Sequence, residues 1–470
     1  MNNVLMKFNL FRKKSVNEFL ENSEDGKKLN RVLGPFSLMF LGIGFLIGAG
    51  IFILTGTASA FFAGPAITLS FIFCTATVLL AALCYTEFAT MVPLAGSAYT
   101  YSYITLGEIW AWIIGWDIIL EYMVIVATVA IGWSSYFVAV INSLGWYLPA
   151  ALINPPGING GIINLPAIII VFLIMSLLIT GVKESSNFNN VIVAIKLAVI
   201  FLFIFIGIKY VHPSNYSPFF PYGLTGVFKG AGIVMFAYIG FDTLTTAAEE
   251  VKNPQKTIPR AILGALIISS MLYIVVATIL NGMFPYYVYK NVAAPVAFAL
   301  QQVGFNWASA VVSIGALCGL TSVILVGLFG QSRILFAISR DGLLPEVFSR
   351  LHSTFKTPFI GLLFVSTVSA VLAAFTPIEM AVQLANIGSL AAFIIVAVAV
   401  MVLRWRSPEI HRPFKTPLMP LIPILAVIFC SLLIIELPLV TQVRFFIWLL
   451  IGLIIYYFYG RKKSKLNQNI

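Results

Sequence analysis

In this 470-residue chain, the residues best placed to do chemistry are the ionisable ones that stand inside long apolar runs: Glu87, Asp117, Glu121, Lys196 and Asp242. A charge in hydrocarbon costs about 2.5 to 3.5 kcal/mol on insertion scales, so each of them calls for a partner or a role. Asp117 and Glu121 are four apart and share one helix face. At 1.5 Å per residue, Lys196 and Asp242 each lie about 10 Å from one edge of their runs and could meet at one depth. A lysine that gains and loses carboxylate neighbours can bind and release a proton. The plainer reading of Lys196 is a long amine snorkelling to the interface; carboxylates at its own depth favour pairing. Glu87 and Glu436, near run ends, read as solvated helix-end carboxylates.

A second set of residues offers backbone chemistry. Gly42-Ile43-Gly44-Phe45-Leu46-Ile47-Gly48-Ala49-Gly50-Ile51-Phe52 and Phe236-Ala237-Tyr238-Ile239-Gly240-Phe241-Asp242 are apolar runs interrupted by glycine. Backbone that leaves a helix in hydrocarbon survives only when buried in protein or lining a cavity. N–H groups freed at Gly48, Ala49 and Gly50, between Ile47 and Ile51, would open a half-helix whose positive end suits a carboxylate. Carbonyls freed near Phe236, Ala237 and Ile239 would suit an ammonium. Together they fit the head group of an α-amino acid. Gly44 and Gly48 also have the spacing of a helix-packing motif; a second interrupted run at the equivalent position favours the binding reading.

The elements that must position these residues are membrane helices. The chain is 60% hydrophobic and 10% charged, against roughly a quarter charged in soluble domains. Stretches of about 20 apolar residues, enough to cross a bilayer, recur near 33–57, 65–88, 109–141, 165–182, 191–210, 226–247, 261–283, 307–336, 359–375, 382–402, 420–437 and 445–459. The expected fold is all-α with twelve spans. The expected organisation is a tail at 1–32, five spans at 33–210, five at 226–402, two at 420–459 and a tail at 460–470. Because five is odd, the second set enters from the opposite face, as an inverted repeat. Of 28 Lys and Arg, only Lys209, Lys229, Lys290 and Arg444 fall on one side and Lys196 falls within; the rest flank the other side, which should be cytoplasmic. Both tails are then cytoplasmic, the membrane is the cell membrane, and the net charge of +11 is a topology signal with no nucleic acid implied. The first 32 residues lack a short apolar run ending in a cleavage site, so no cleaved leader is expected.

Cys74, Cys84, Cys318 and Cys430 lie in apolar runs, where a thiol acts as a small hydrophobe. His212, His352 and His411 lie outside the spans, and neither a phosphate loop nor a zinc helix motif occurs. No cofactor, metal or catalytic residue is expected, and an enzyme or ATP-driven pump lacks its parts. A channel needs a repeated filter segment, which is absent.

Several segments, in this order, resemble the amino acid, polyamine and organocation transporter superfamily and its cationic amino acid transporter family. They are Gly48-Ala49-Gly50-Ile51-Phe52, Cys84-Tyr85-Thr86-Glu87-Phe88 with Val92-Pro93-Leu94-Ala95-Gly96-Ser97-Ala98-Tyr99, and Gly115-Trp116-Asp117 with Glu121-Tyr122. Later come Gly181-Val182-Lys183-Glu184-Ser185, Phe236 through Glu249-Glu250 to Asn253-Pro254, and Ser339-Arg340-Asp341-Gly342-Leu343-Leu344-Pro345. The resemblance implies a LeuT-like five-plus-five fold with two added helices and proton-coupled secondary transport. It implies that Lys196 stands where sodium-driven relatives bind an ion, with Glu121 and Asp242 as its carboxylate neighbours. It also implies Phe236 as a gate, and Gly319, Thr321 and Ser322 of span eight facing the substrate. Ala49 departs from a hydroxyl residue found in some members, and the longer animal members have fourteen spans. The leading expectation is a proton-coupled importer of L-amino acids. The alternatives are an exchanger of cationic amino acids or polyamines, and a membrane sensor. Any small accessory subunit is beyond the sequence.

Overall fold

The computed structural model describes residues 33–465 except 94–95, 159, 181, 249–250, 291, 293 and 353–356, and omits the side chains of 143, 180 and 182–188. The tail 1–32, residues 466–470 and the motif residues Leu94, Ala95, Gly181, Glu249 and Glu250 lie outside the described residues. So do the side chains of Val182, Lys183, Glu184 and Ser185. Among the described residues no strand forms; isolated bridges pair Leu33 with Val251 and Ile153 with Asn164.

The helices that build the molecule are α1 (Pro35–Leu46), α2 (Ile67–Met91), α3 (Ser97–Thr105), α4 (Glu108–Ser143), α5 (Leu165–Thr180), α6 (Val182–Gly207) and α7 (Gly223–Val234). They continue with α8 (Pro254–Met283), α9 (Pro295–Gln302), α10 (Asn306–Arg340), α11 (Phe359–Phe375), α12 (Ile378–Arg406), α13 (Leu421–Glu436) and α14 (Leu439–Ile455). Eight helical stretches among the described residues are long and apolar enough to cross a membrane, the first being the 57-residue Pro35–Met91. Apolar helices in the regions of α5, α11 and α13 are shorter.

Polarity is turned inside out relative to a soluble protein. On α14, Val440, Val443, Phe446, Ile447 and Ile451 face outward, as do Phe201 and Phe205 on α6. Contiguous apolar surface of this kind is rare in water and is what meets lipid in a multi-pass membrane protein. Lys196, Asp117, Glu121, Asp242, Asn281 and Gln331 are all at most 3% exposed, so the intramembrane polar groups face protein, as their cost in hydrocarbon requires. α4 packs against α10, α11, α12 and α5, whereas α8 packs against α1 and α2; α6 touches both α1 and α10.

Two helices break where the glycines predict. α1 ends at Leu46, Ile47 is extended (φ −78°, ψ 95°), and a wider helical turn restarts at Gly50–Leu54. α7 gives way to a tight turn at Met235–Tyr238, Ile239 is extended (φ −67°, ψ 138°), and helix resumes at Thr243–Thr246. Gly240 has φ 101°, a conformation that residues with a Cβ avoid, and a Cβ there would enter the Phe45 ring. Gly50 meets a different constraint: a Cβ would lie 2.5 Å from the Ala237 Cα, so the two breaks approach backbone to backbone.

Candidate functional site

A small cavity, with room for about one water molecule, opens between the two breaks. Gly48, Ala49 and Gly50 line it from span one, and Phe236 and Ile239 from span six. The turn beginning at Gly50 has no preceding turn to accept its first N–H groups. The remaining wall is Phe45, Leu46, Ile125 and Val129 with Val323 of α10. Among the described residues no ionisable side chain lines it.

Five of the residues expected at the substrate site therefore meet there, and five take other positions. The Ile47 carbonyl accepts from the Lys196 ammonium at 2.8 Å, and Ile51 is buried off the cavity. Ala237 packs on Gly50 and its carbonyl accepts from the Tyr273 hydroxyl at 2.8 Å. Thr321 points elsewhere on α10, its hydroxyl donating to Leu317 O (2.8 Å) and accepting from the Trp133 indole (3.1 Å). A helix turns 100° per residue, so naming the right span leaves the facing residue open; the α10 residue that reaches the cavity is Val323. Gly319 lies on Lys196 instead, and Ser322 donates toward Asn189 Oδ1 (2.5 Å) and Gly44 O (3.3 Å). Asp242 sits away from the cavity, one carboxylate oxygen 3.4 Å from the Tyr122 hydroxyl.

Lys196 does not meet its expected carboxylates. Fully buried, its Nζ donates to Gly44 O (2.7 Å), Ile47 O (2.8 Å) and Gly319 O (3.4 Å). No ion pair found among the described residues includes it. Equal depth does not fix rotation: Lys196 faces the break of span one and α10, while Glu121 turns to Ser389 of α12, whose hydroxyl donates to it. Asp117 and Glu121 face one stretch of α12: a Cβ on Gly388 would lie 2.8 Å from Asp117 Oδ1 and 3.6 Å from the Glu121 Cβ. One oxygen each of Asp117 and Asp242 has no hydrogen-bond partner among the described residues. Among the described residues, Lys196 is thus held by carbonyls, apart from the carboxylates of Asp117, Glu121 and Asp242.

The sequence pattern of the amino acid permease family matches residues 33–459. The chain belongs to this family, within the amino acid, polyamine and organocation superfamily. It is 48% identical to the branched-chain amino acid permease BcaP of Bacillus subtilis (strain 168), over 98% of this chain and all of that protein. It is 47% identical to the methylthioribose transporter of the same organism, over 98% of this chain and 99% of that protein. Mouse cationic amino acid transporter 4 is 36% identical over 83% of this chain, which covers 62% of that longer protein. The family is one of transporters, not enzymes.

Two polar networks of this permease were not legible as such in its sequence. Glu87, read as a solvated carboxylate, is 2% exposed and paired with Arg404 (2.6 and 2.9 Å) and with Arg412 Nε (3.2 Å), and it accepts from the Thr416 N–H (2.8 Å). Glu108 accepts from three hydroxyls: Tyr103 (3.0 Å), Tyr456 (2.9 Å) and Ser464 (2.6 Å). The start of the C-terminal tail is therefore docked, and Ser464 is buried rather than part of a free basic tail. The glycine spacing allows close packing, since a Cβ at Gly44 would strike Val193 and Asn189 and one at Gly48 would lie 2.8 Å from Val323, and Gly48 also lines the cavity.

Proposed function

We propose that this permease imports neutral, apolar L-amino acids by proton symport, through a twelve-span arrangement of five plus five inverted helices with two more. The observation that carries the reading is the cavity between the breaks. One edge offers the leading N–H groups of a helical turn, the opposite edge belongs to the unwound segment of span six, and all side chains around it are apolar. The backbone suits a carboxylate and an ammonium together. The wall of Ile125, Val129 and Val323 suits an aliphatic side chain and offers a lysine or polyamine chain no counter-charge. The cavity is smaller than any such substrate, so Phe236, at its edge, must move to admit one. The branched-chain permease at 48% identity agrees with this reading. In the twelve-span reading, Pro35–Met91 counts as two spans and the shorter apolar helices each count as one.

Lys196 and the buried carboxylates support the reading of proton coupling. Carbonyls of Gly44 and Ile47 in span one and of Gly319 in α10 hold the Lys196 ammonium as they would hold a bound cation. When the broken helix tilts away from α10, this cage comes apart and the proton is released. Asp117, Glu121 and Asp242 form a second place where protons can be held. Uptake of labelled L-leucine into proteoliposomes under an inward proton gradient tests the reading. The gradient should drive accumulation above the outside concentration in the parent and not in Lys196→Met, which keeps much of the apolar stem. Equal accumulation in Lys196→Met would remove the lysine from the proton path. Methylthioribose is the competing substrate, since a relative of that name is 47% identical and its methylthio group also fits an apolar wall. If it competes with L-leucine where isoleucine and valine do not, the amino acid assignment fails.

A further inference from the structure

The segments that begin α3 and follow α10 take no part in the cavity, yet the end of the chain ties them together. Beyond α14, a wider helical turn at Tyr456–Gly460 and a further turn at Arg461–Lys463 carry the chain to Ser464. The Tyr456 hydroxyl donates to one oxygen of Glu108 at 2.9 Å; Ser464 donates to the other at 2.6 Å, and Tyr103 of α3 reaches that same oxygen at 3.0 Å. Glu108 is 4% exposed and Ser464 is fully buried, whereas its neighbours Lys462, Lys463 and Lys465 are exposed. A buried carboxylate that loses a donor is costly, so the serine has a reason to stay docked that the lysines beside it lack. One residue on, the Lys465 N–H donates to Asp341 O at 3.1 Å. Gly342, at φ 82°, leaves room for the Lys463 carbonyl, which a Cβ there would meet at 2.3 Å. The tail therefore grips the first turn of α4 and the turn after α10 at once.

Helix α3 lies between these grips, and all nine of its residues are buried. Its Tyr99 hydroxyl donates to Asp341 Oδ2 at 2.8 Å, and its Ser97 Oγ accepts from Thr245 Oγ1 at 2.9 Å, in the half-helix Thr243–Thr246 that resumes after the break of span six. Two paths of polar contacts thus run from the tail into α3, one through Glu108 and Tyr103 and one through Asp341 and Tyr99. From α3 they reach the broken span. By the distribution of Lys and Arg this end of the bundle is cytoplasmic, so a substrate leaving the cavity for the cytoplasm passes that half-helix.

We propose that residues 456–465 are a latch on the cytoplasmic mouth: docked, they hold α3 against the second half of span six and keep the mouth shut, and undocked, they free that half-helix to swing away. The cytoplasmic direction rests on the orientation read above; the latch does not depend on which substrate is carried. Hydrogen–deuterium exchange of the purified full-length protein in lipid nanodiscs, without substrate, tests it in Ser464→Ala and in Ser464→Asp, which sets a second carboxylate against Glu108. Amides of 97–105 and 243–246 should exchange about tenfold faster in Ser464→Ala, the loss of one hydrogen bond to a carboxylate, and faster still in Ser464→Asp. Amides of α5 and α11 should keep the parent rates. Should Ser464→Asp fail to fold, Ser464→Ala, which removes one oxygen and adds no charge, carries the test alone. Parent rates at 97–105 and 243–246 in the folded variant would overturn the latch, and so would a rise spread evenly over all helices, the mark of a tail that only adds stability. Local loosening together with termini that prove to lie outside the cell would overturn the assignment to the cytoplasmic mouth. Failure of L-leucine transport would leave these exchange rates untouched, so the two readings fail separately.

Discussion

At the scale of single residues, the cavity turns on small and branched side chains more than on charged ones. Val323 projects from α10 against Gly48 and closes the apolar wall. Val323→Ala should open this wall, and discrimination against phenylalanine relative to valine should fall about tenfold, the order of effect that one or two methylenes have in a hydrophobic pocket. Inhibition of L-leucine uptake by the two amino acids measures this, and an unchanged ratio would place the side chain elsewhere. Gly48, Ala49, Gly50, Phe236 and Ile239 were legible as cavity-lining residues because two glycine-interrupted apolar runs stand at equivalent positions, which helix packing alone does not require. Val323, Ile125 and Val129 were not, because a valine facing a cavity and one facing lipid look alike in sequence. Lys196 was legible as a buried cation needing partners; that its partners are carbonyls depends on the rotation of α6, which sequence depth does not report.

Elements are joined by pairings that local periodicity cannot reveal. Glu87 on α2 meets Arg404 at the end of α12, and Arg412 and Thr416 from the loop beyond it. Nothing near Glu87 in the chain marks these partners, and so it read as a solvated end. Removing the carboxylate would leave two guanidinium groups facing each other, with Arg412 buried. Breaking a buried pair in this way costs about 3 to 5 kcal/mol, nearer the lower figure here because Arg404 is 23% exposed. Glu87→Gln should therefore lower the thermal midpoint of the purified protein markedly. A midpoint within a degree or so of the parent would show that the pairing adds little. The helix breaks were the opposite case: the glycines announced them, and Gly240 and Gly50 meet constraints of backbone angle and close approach that glycine satisfies.

For the whole molecule, composition was enough to read an all-helical membrane protein, because the outward faces are apolar and the polar side chains are gathered inside. Orientation rests on the distribution of Lys and Arg. With both termini cytoplasmic, a cysteine at Lys290 should react with an impermeant maleimide in intact cells, and one at Lys415 only after permeabilisation; the reverse pattern would invert the protein. The docking of Tyr456 and Ser464 on Glu108 could not be foreseen, since a basic tail ordinarily serves as a topology signal and these hydroxyls lie hundreds of residues from Glu108 in sequence. The central claim is that the backbone of two broken helices, with no charged side chain, holds both ends of a zwitterion. Equilibrium binding to the purified protein tests it most directly, comparing L-leucine with isoamylamine, which lacks the carboxylate, and 4-methylpentanoate, which lacks the ammonium. Loss of either set of charge-assisted hydrogen bonds should weaken binding about a hundredfold. Binding of either analogue within about threefold of L-leucine would contradict the account.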